Sequence, residues 1–74
     1  MPKLKILSGR ELCVLLAQYG FVQVRQRGSH IIMQKNEAGA TRTIPVPDHG
    51  EIRIGTLLSI IRQSQLPRKI FEAN

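Results

Sequence analysis

Apolar side chains recur along this chain in two rhythms, and the change between them marks out the elements. Leu12, Leu15, Leu16 and Tyr19 fall at i, i+3, i+4 and i+7, one stripe of an α-helix. Ser8-Gly9-Arg10-Glu11 before them has the S-x-x-E capping-box form, and Gly20 after them is the residue type that ends many helices. The pattern predicts a helix from residue 8 or 9 to 19. Beyond Gly20 the period drops to two. Phe21-Val22-Gln23-Val24-Arg25 reads as a strand, and Gln26-Arg27-Gly28 as a three-residue hairpin loop with glycine at its bulge position. Ser29-His30-Ile31-Ile32-Met33-Gln34-Lys35 reads as the second strand, Asn36-Glu37-Ala38-Gly39 as a type I turn, and Thr41-Arg42-Thr43-Ile44 as a third strand ended by Pro45-Val46-Pro47. The helical spacing returns at Ile54, Leu57, Leu58 and Ile61, a second helix over about 55–64. Pro67 then opens a short turn carrying Ile70 and Phe71. The expected architecture is α+β, in the order α-β-β-β-α, with a three-stranded antiparallel sheet and both helices on one face. It accounts for residues 1–74 as a single domain.

Charge changes the picture more than composition does. Eleven Lys and Arg against five Asp and Glu give a formal charge of +6, which favours nucleic acid, an acidic protein or an anionic surface as partner. Other classes fall away. The single cysteine, Cys13, forms no internal disulfide and reads as a helix-face packing residue. No apolar run approaches the roughly 20 residues of a membrane span. The first seven residues lack the apolar stretch of a secretory signal, so a cytoplasmic location is expected. No metal-ligand spacing and no glycine-rich phosphate loop is present, so neither a metal nor a cofactor is expected.

Two histidines are the candidates for proton transfer near neutral pH. His30 stands in a stretch, residues 21–36, that carries Arg25, Arg27 and Lys35 and no acid; Arg42 joins from the third strand. A histidine among cations suits phosphodiester cleavage without a metal: one group moves the proton of an RNA 2′-hydroxyl or leaving oxygen, and the cations stabilise the phosphorane charge. Counting the hairpins places His30 opposite Val24 and near Val46, on the face of Ile32, Ile44 and Val46, the expected core side; a bulge would shift that by one residue. A hydrogen-bonded histidine at the edge of the core and a catalytic histidine both fit this count. His49 reads as a loop residue near the start of Glu51-Ile52, with a second acid/base group as its functional alternative. Tyr19 and Phe21 read as core.

Taken together, the capped helix, Tyr19-Gly20-Phe21 and Arg25-Gln26-Arg27-Gly28-Ser29-His30 resemble the HicA family of toxin mRNA interferases. Pro47-Asp48-His49, Ile54-Gly55-Thr56-Leu57-Leu58 and the terminal Phe71 are similar too, so the resemblance spans about residues 4–72. It implies a fold like a double-stranded-RNA-binding domain, metal-independent cleavage of mRNA with the histidine of Gly-Ser-His, here His30, as catalytic residue, and inhibition by a HicB-type antitoxin. Any DNA contact would be made through that antitoxin. Members often carry a polar or aromatic residue directly after the histidine; here the position is Ile31. The resulting expectation is an endoribonuclease toxin in which Arg25, Arg27, Lys35 and Arg42 hold the RNA, Gly28 and Ser29 set the geometry and His49 is a second acid/base candidate. The alternative is a non-catalytic double-stranded-RNA-binding module.

Overall fold

The capping box forms as expected and starts the fold. In the computed structural model, which describes residues 2–73, the Ser8 hydroxyl accepts from the Glu11 amide at 3.0 Å and the Glu11 carboxylate accepts from the Ser8 amide at 2.8 Å. Met1 and Asn74, the ends of the expected domain, lie outside the described residues. Helix α1 (Gly9–Ala17) is followed by β1 (Val22–Arg27), β2 (His30–Glu37), β3 (Ala40–Pro47) and α2 (Ile54–Ser64), and a single 3-10 turn spans Arg68–Phe71. The strands form an antiparallel sheet in the order β1-β2-β3. The element order and α+β class are therefore those expected from the sequence, and the layering is that of double-stranded-RNA-binding domains.

One sheet face carries the core. Leu12 and Leu16 of α1 and Leu57 and Ile60 of α2 pack with Ile31, Met33, Ile44 and Val46, and the buried Phe21 and Phe71 belong to the same cluster. The chain ends join there: Lys5 donates to the Phe71 carbonyl and Ala73 to that of Lys3, both at 2.7 Å, which holds the Phe71 ring in place. The helix stripes are rotated slightly from the expected ones. Tyr19 is 38% exposed rather than core, because α1 stops at Ala17. On α2 the buried side is Leu57, Ile60 and Ser64, while Ile54 and Leu58 face solvent.

The hairpins correct the expected register. The first turn has two residues, Gly28-Ser29, not three. Gly28 takes φ +59, and glycine at the first of two central positions is what a type II′ turn needs. The bulge lies in β1 instead, where Val24 is the extra residue between Gln23 and Arg25. These changes place His30 opposite Arg27, not Val24, and the second turn, one residue later than expected, places it opposite Pro47 and not near Val46. Because side chains alternate along a strand, Ile31 and Met33 then point to the helices and His30 points away. The second turn is likewise two residues, Ala38 (φ +50) and Gly39 (φ +81), the paired positive values of a type I′ turn. Strand β3 also runs on to Pro47. It tolerates two prolines because it is an edge strand, and residues 45 and 47 share one phase, with their nitrogens directed off the sheet.

Candidate active site

The face opposite the helices is open, and His30 begins its central strand. The imidazole is exposed, with Arg27 directly across the hairpin and Pro47 on its other side. One step along the same face, Ile32 lies between Arg25 and Pro45. Ile32 is only 7% exposed although it is outside the helix-side core, because its neighbours on this face cover it. Arg27, Gly28, His30, Ile32 and Pro45 line a shallow cleft of about 680 Å³. An exposed imidazole, a guanidinium beside it and the buried Ile32 are thus brought together. Ile32 and Pro45 were not among the expected site residues, although their i, i+2 spacing from His30 and Pro47 signals a shared face.

Of the four residues expected to hold phosphate, two lie on this face. Arg25 and Arg27 share the His30 face, and among the described residues neither enters an ion pair. Lys35 and Arg42 do not join them. They pair with each other across β2 and β3, five residues from His30, which at about 3.3 Å per residue is roughly 16 Å away. Both also turn to the helix side. Glu37 binds both, at 3.1 Å to Arg42 and 3.6 Å to Lys35, and the Lys35 ammonium stands 5.8 Å from the centre of the Phe21 ring. These contacts hold the Glu37 carboxyl below its ordinary pKa, the Arg42 hydrogen bond contributing most.

Gly28 and Ser29 form the turn that precedes His30, with Ser29 in the turn and not, as expected, in the strand. The turn is tied down by a backbone bond that extends the β2–β3 pairing and by a side-chain contact on the helix side. The Asp48 amide donates to the Ser29 carbonyl at 2.7 Å, and the Gln26 side-chain amide donates to the Gly28 carbonyl at 3.2 Å and to Asp48 Oδ2 at 3.3 Å. Arg10 of α1 completes the cluster, donating to Asp48 Oδ1 at 3.2 Å and to Oδ2 at 3.4 Å. The Arg10 hydrogen bond is the main cause of a lowered Asp48 pKa. His49 lies next to this cluster but does not line the His30 cleft; its carbonyl accepts from the Gly9 amide at 2.8 Å and docks the loop onto α1. Cys13 is buried, and burial pushes its thiol pKa up, the opposite of nucleophile activation. Among the described residues no group of His, Cys, Asp and Glu is arranged to hold a metal ion, and no helix is long and apolar enough to cross a membrane.

Fold and site together define a class: a small cationic α-β-β-β-α domain that presents a histidine and two arginines on an uncovered sheet face. A family model described as the HicA toxin of bacterial toxin-antitoxin systems matches residues 9–66, and the chain belongs to that family. It is thus a toxin component, with an antitoxin as its implied partner. A comparison with curated proteins finds no match.

Proposed function

We propose that this toxin is an endoribonuclease that cleaves mRNA without a metal, with His30 as its catalytic residue. The observation that carries the reading is the exposed imidazole lining a shallow cleft, flanked by Arg27 and, one step along, Arg25. In the reaction the 2′-oxygen forms a bond to phosphorus as the bond to the 5′-oxygen breaks, leaving a 2′,3′-cyclic phosphate and a 5′-hydroxyl. His30 takes the proton of the 2′-hydroxyl or supplies one to the leaving oxygen, and water makes the other transfer. His49 is outside the cleft and is not needed for this account. Arg25 and Arg27 balance the charge that builds on the phosphorane. Lys35 and Arg42, already paired to Glu37 on the helix side, are left out of the phosphate contacts.

Few groups at the cleft are able to read base edges, so weak sequence selectivity is expected. The partner is a HicB-type antitoxin that covers this face, and the site of action is the cytoplasm. The deciding experiment incubates the purified protein in EDTA with an RNA and with its all-deoxy counterpart. Time-dependent fragments bearing cyclic phosphate, from the RNA alone, support the nuclease. Intact RNA with a salt-sensitive gel shift indicates a non-catalytic RNA-binding module instead.

A further inference from the structure

His30 is the first residue of β2, so the direction of its ring depends on the two-residue turn before it. Besides the strand pairing on either side of it, that turn is held at its two carbonyls, Gly28 and Ser29. The Gln26 side-chain nitrogen reaches both the Gly28 carbonyl and an Asp48 oxygen, at 3.2 and 3.3 Å, so the carboxylate fixes the rotamer that supports the turn. The Asp48 amide adds the 2.7 Å bond to Ser29. From these contacts we infer that Asp48 is a positioning residue for His30, acting through Gln26 on the Gly28-Ser29 turn. The inference rests on the RNA-cleavage reading above.

An acid beside a phosphate-binding surface is at first sight a liability. Here its placement removes the conflict. Gln26 pairs with Ile31, a core-facing residue, so the Gln26-Asp48 contact lies on the helix side of the sheet, not on the His30 face. Arg10 then neutralises the carboxylate. The Arg10 side chain is 78% exposed against 22% for Asp48, so the arginine is a solvated counter-charge and the carboxylate is the ordered hub. The two partners therefore have separable roles: Gln26 transmits position and Arg10 balances charge.

The test compares Asp48→Ala, Gln26→Ala, Arg10→Ala and the Asp48→Ala/Gln26→Ala double variant in the full chain. It reads kcat and KM on one RNA, and amide hydrogen exchange at residue 48, whose N–H closes the turn by donating to the Ser29 carbonyl. Misplacing a catalytic group by about 1 Å costs up to roughly a hundredfold in rate. Asp48→Ala and Gln26→Ala are each expected to lower kcat by about ten- to a hundredfold with KM within about twofold, and to speed exchange at the turn. The double variant is expected to be no worse than the worse single one, because both act on one tether. Arg10→Ala is expected to leave kcat and turn exchange unchanged. Gln26 is exposed, so its replacement keeps the test open if Asp48→Ala does not fold. Additive losses in the double variant, or an Arg10→Ala that reproduces Asp48→Ala, would overturn the inference. The exchange arm needs no activity. Unchanged exchange in Gln26→Ala removes the tether even if RNA is cleaved, whereas faster exchange in a protein that cleaves nothing keeps the tether and removes the nuclease reading.

Discussion

Replacing Gly9 with alanine should damage this fold far more than a single methyl group suggests. Gly9 is the first residue of α1, and a Cβ there would stand 1.9 Å from the Pro47 carbonyl oxygen and 3.1 Å from the Asp48 Cα. Real Cβ atoms do not approach other heavy atoms within 3.0 Å, so helix and strand must part by roughly 1 Å. Both obstacles are backbone, and no side chain is able to rotate aside. Forcing extra volume into such a contact costs about 1–3 kcal/mol. Parting the elements also stretches the 2.8 Å bond from the Gly9 amide to the His49 carbonyl, worth about 1 kcal/mol. The gain in helix propensity from glycine to alanine, at most about 1 kcal/mol, offsets part of this. The net loss is about 1–3 kcal/mol, a large share of the roughly 4–11 kcal/mol expected for a domain of this size. Urea unfolding should show the midpoint falling at constant slope, and Tm should drop by roughly 5–20 °C. RNA cleavage should fall as well, since Pro47 pairs directly with His30. A Gly9→Ala protein as stable as the parent would refute the close approach of α1 to β3 on which the site geometry depends.

Two further outcomes concern stability. Ala38 holds φ +50 in the second hairpin, a left-handed conformation that costs an alanine about 1–2 kcal/mol. Ala38→Gly relieves it against the greater freedom of unfolded glycine, for a net gain of about 0.5–1 kcal/mol, and a lower urea midpoint would contradict this. The second concerns pH. The Asp48 and Glu37 carboxyls sit below their ordinary pKa, held mainly by hydrogen bonds from Arg10 and Arg42. The unfolded chain binds these protons more readily, so the stabilisation is complete above the ordinary carboxylate range and is lost as pH falls through the lowered native values. Asp48→Asn with Glu37→Gln should therefore flatten the acid limb of stability against pH, and an unchanged limb would show that other groups govern it.

The sequence carried the elements well and the register poorly, for a physical reason. Leu12 and Leu16, three apolar strands and Leu57 with Ile60 repeat at periods that only one element type satisfies. Strand registry instead depends on single residues in the turns. Gln26-Arg27-Gly28 and Gly28-Ser29 are both acceptable loops around the same glycine, as Glu37-Ala38 and Ala38-Gly39 are in the second hairpin, and the one-residue slip in the second moves His30 from the open face to that of Ile44 and Val46. Val24, where the real bulge lies, carries no local signal. The same slip explains the phosphate contacts. Arg25, Arg27, Lys35 and Arg42 look equivalent as charges, and only the register and the ion pairs to Glu37 separate the first two from the last two. The Arg10-Asp48 contact joins residues 38 apart in sequence and lay beyond any spacing argument.

The most direct measurement is the rate of RNA cleavage by His30→Ala, made in EDTA beside circular dichroism and melting of the same sample. His30 is exposed and opens its strand, so stability should change by no more than about 0.5 kcal/mol. Losing a general acid or base should lower the rate by about 10²- to 10⁴-fold, with cyclic-phosphate fragments disappearing accordingly. A folded His30→Ala protein that cuts RNA at the parent rate would contradict the account at its centre.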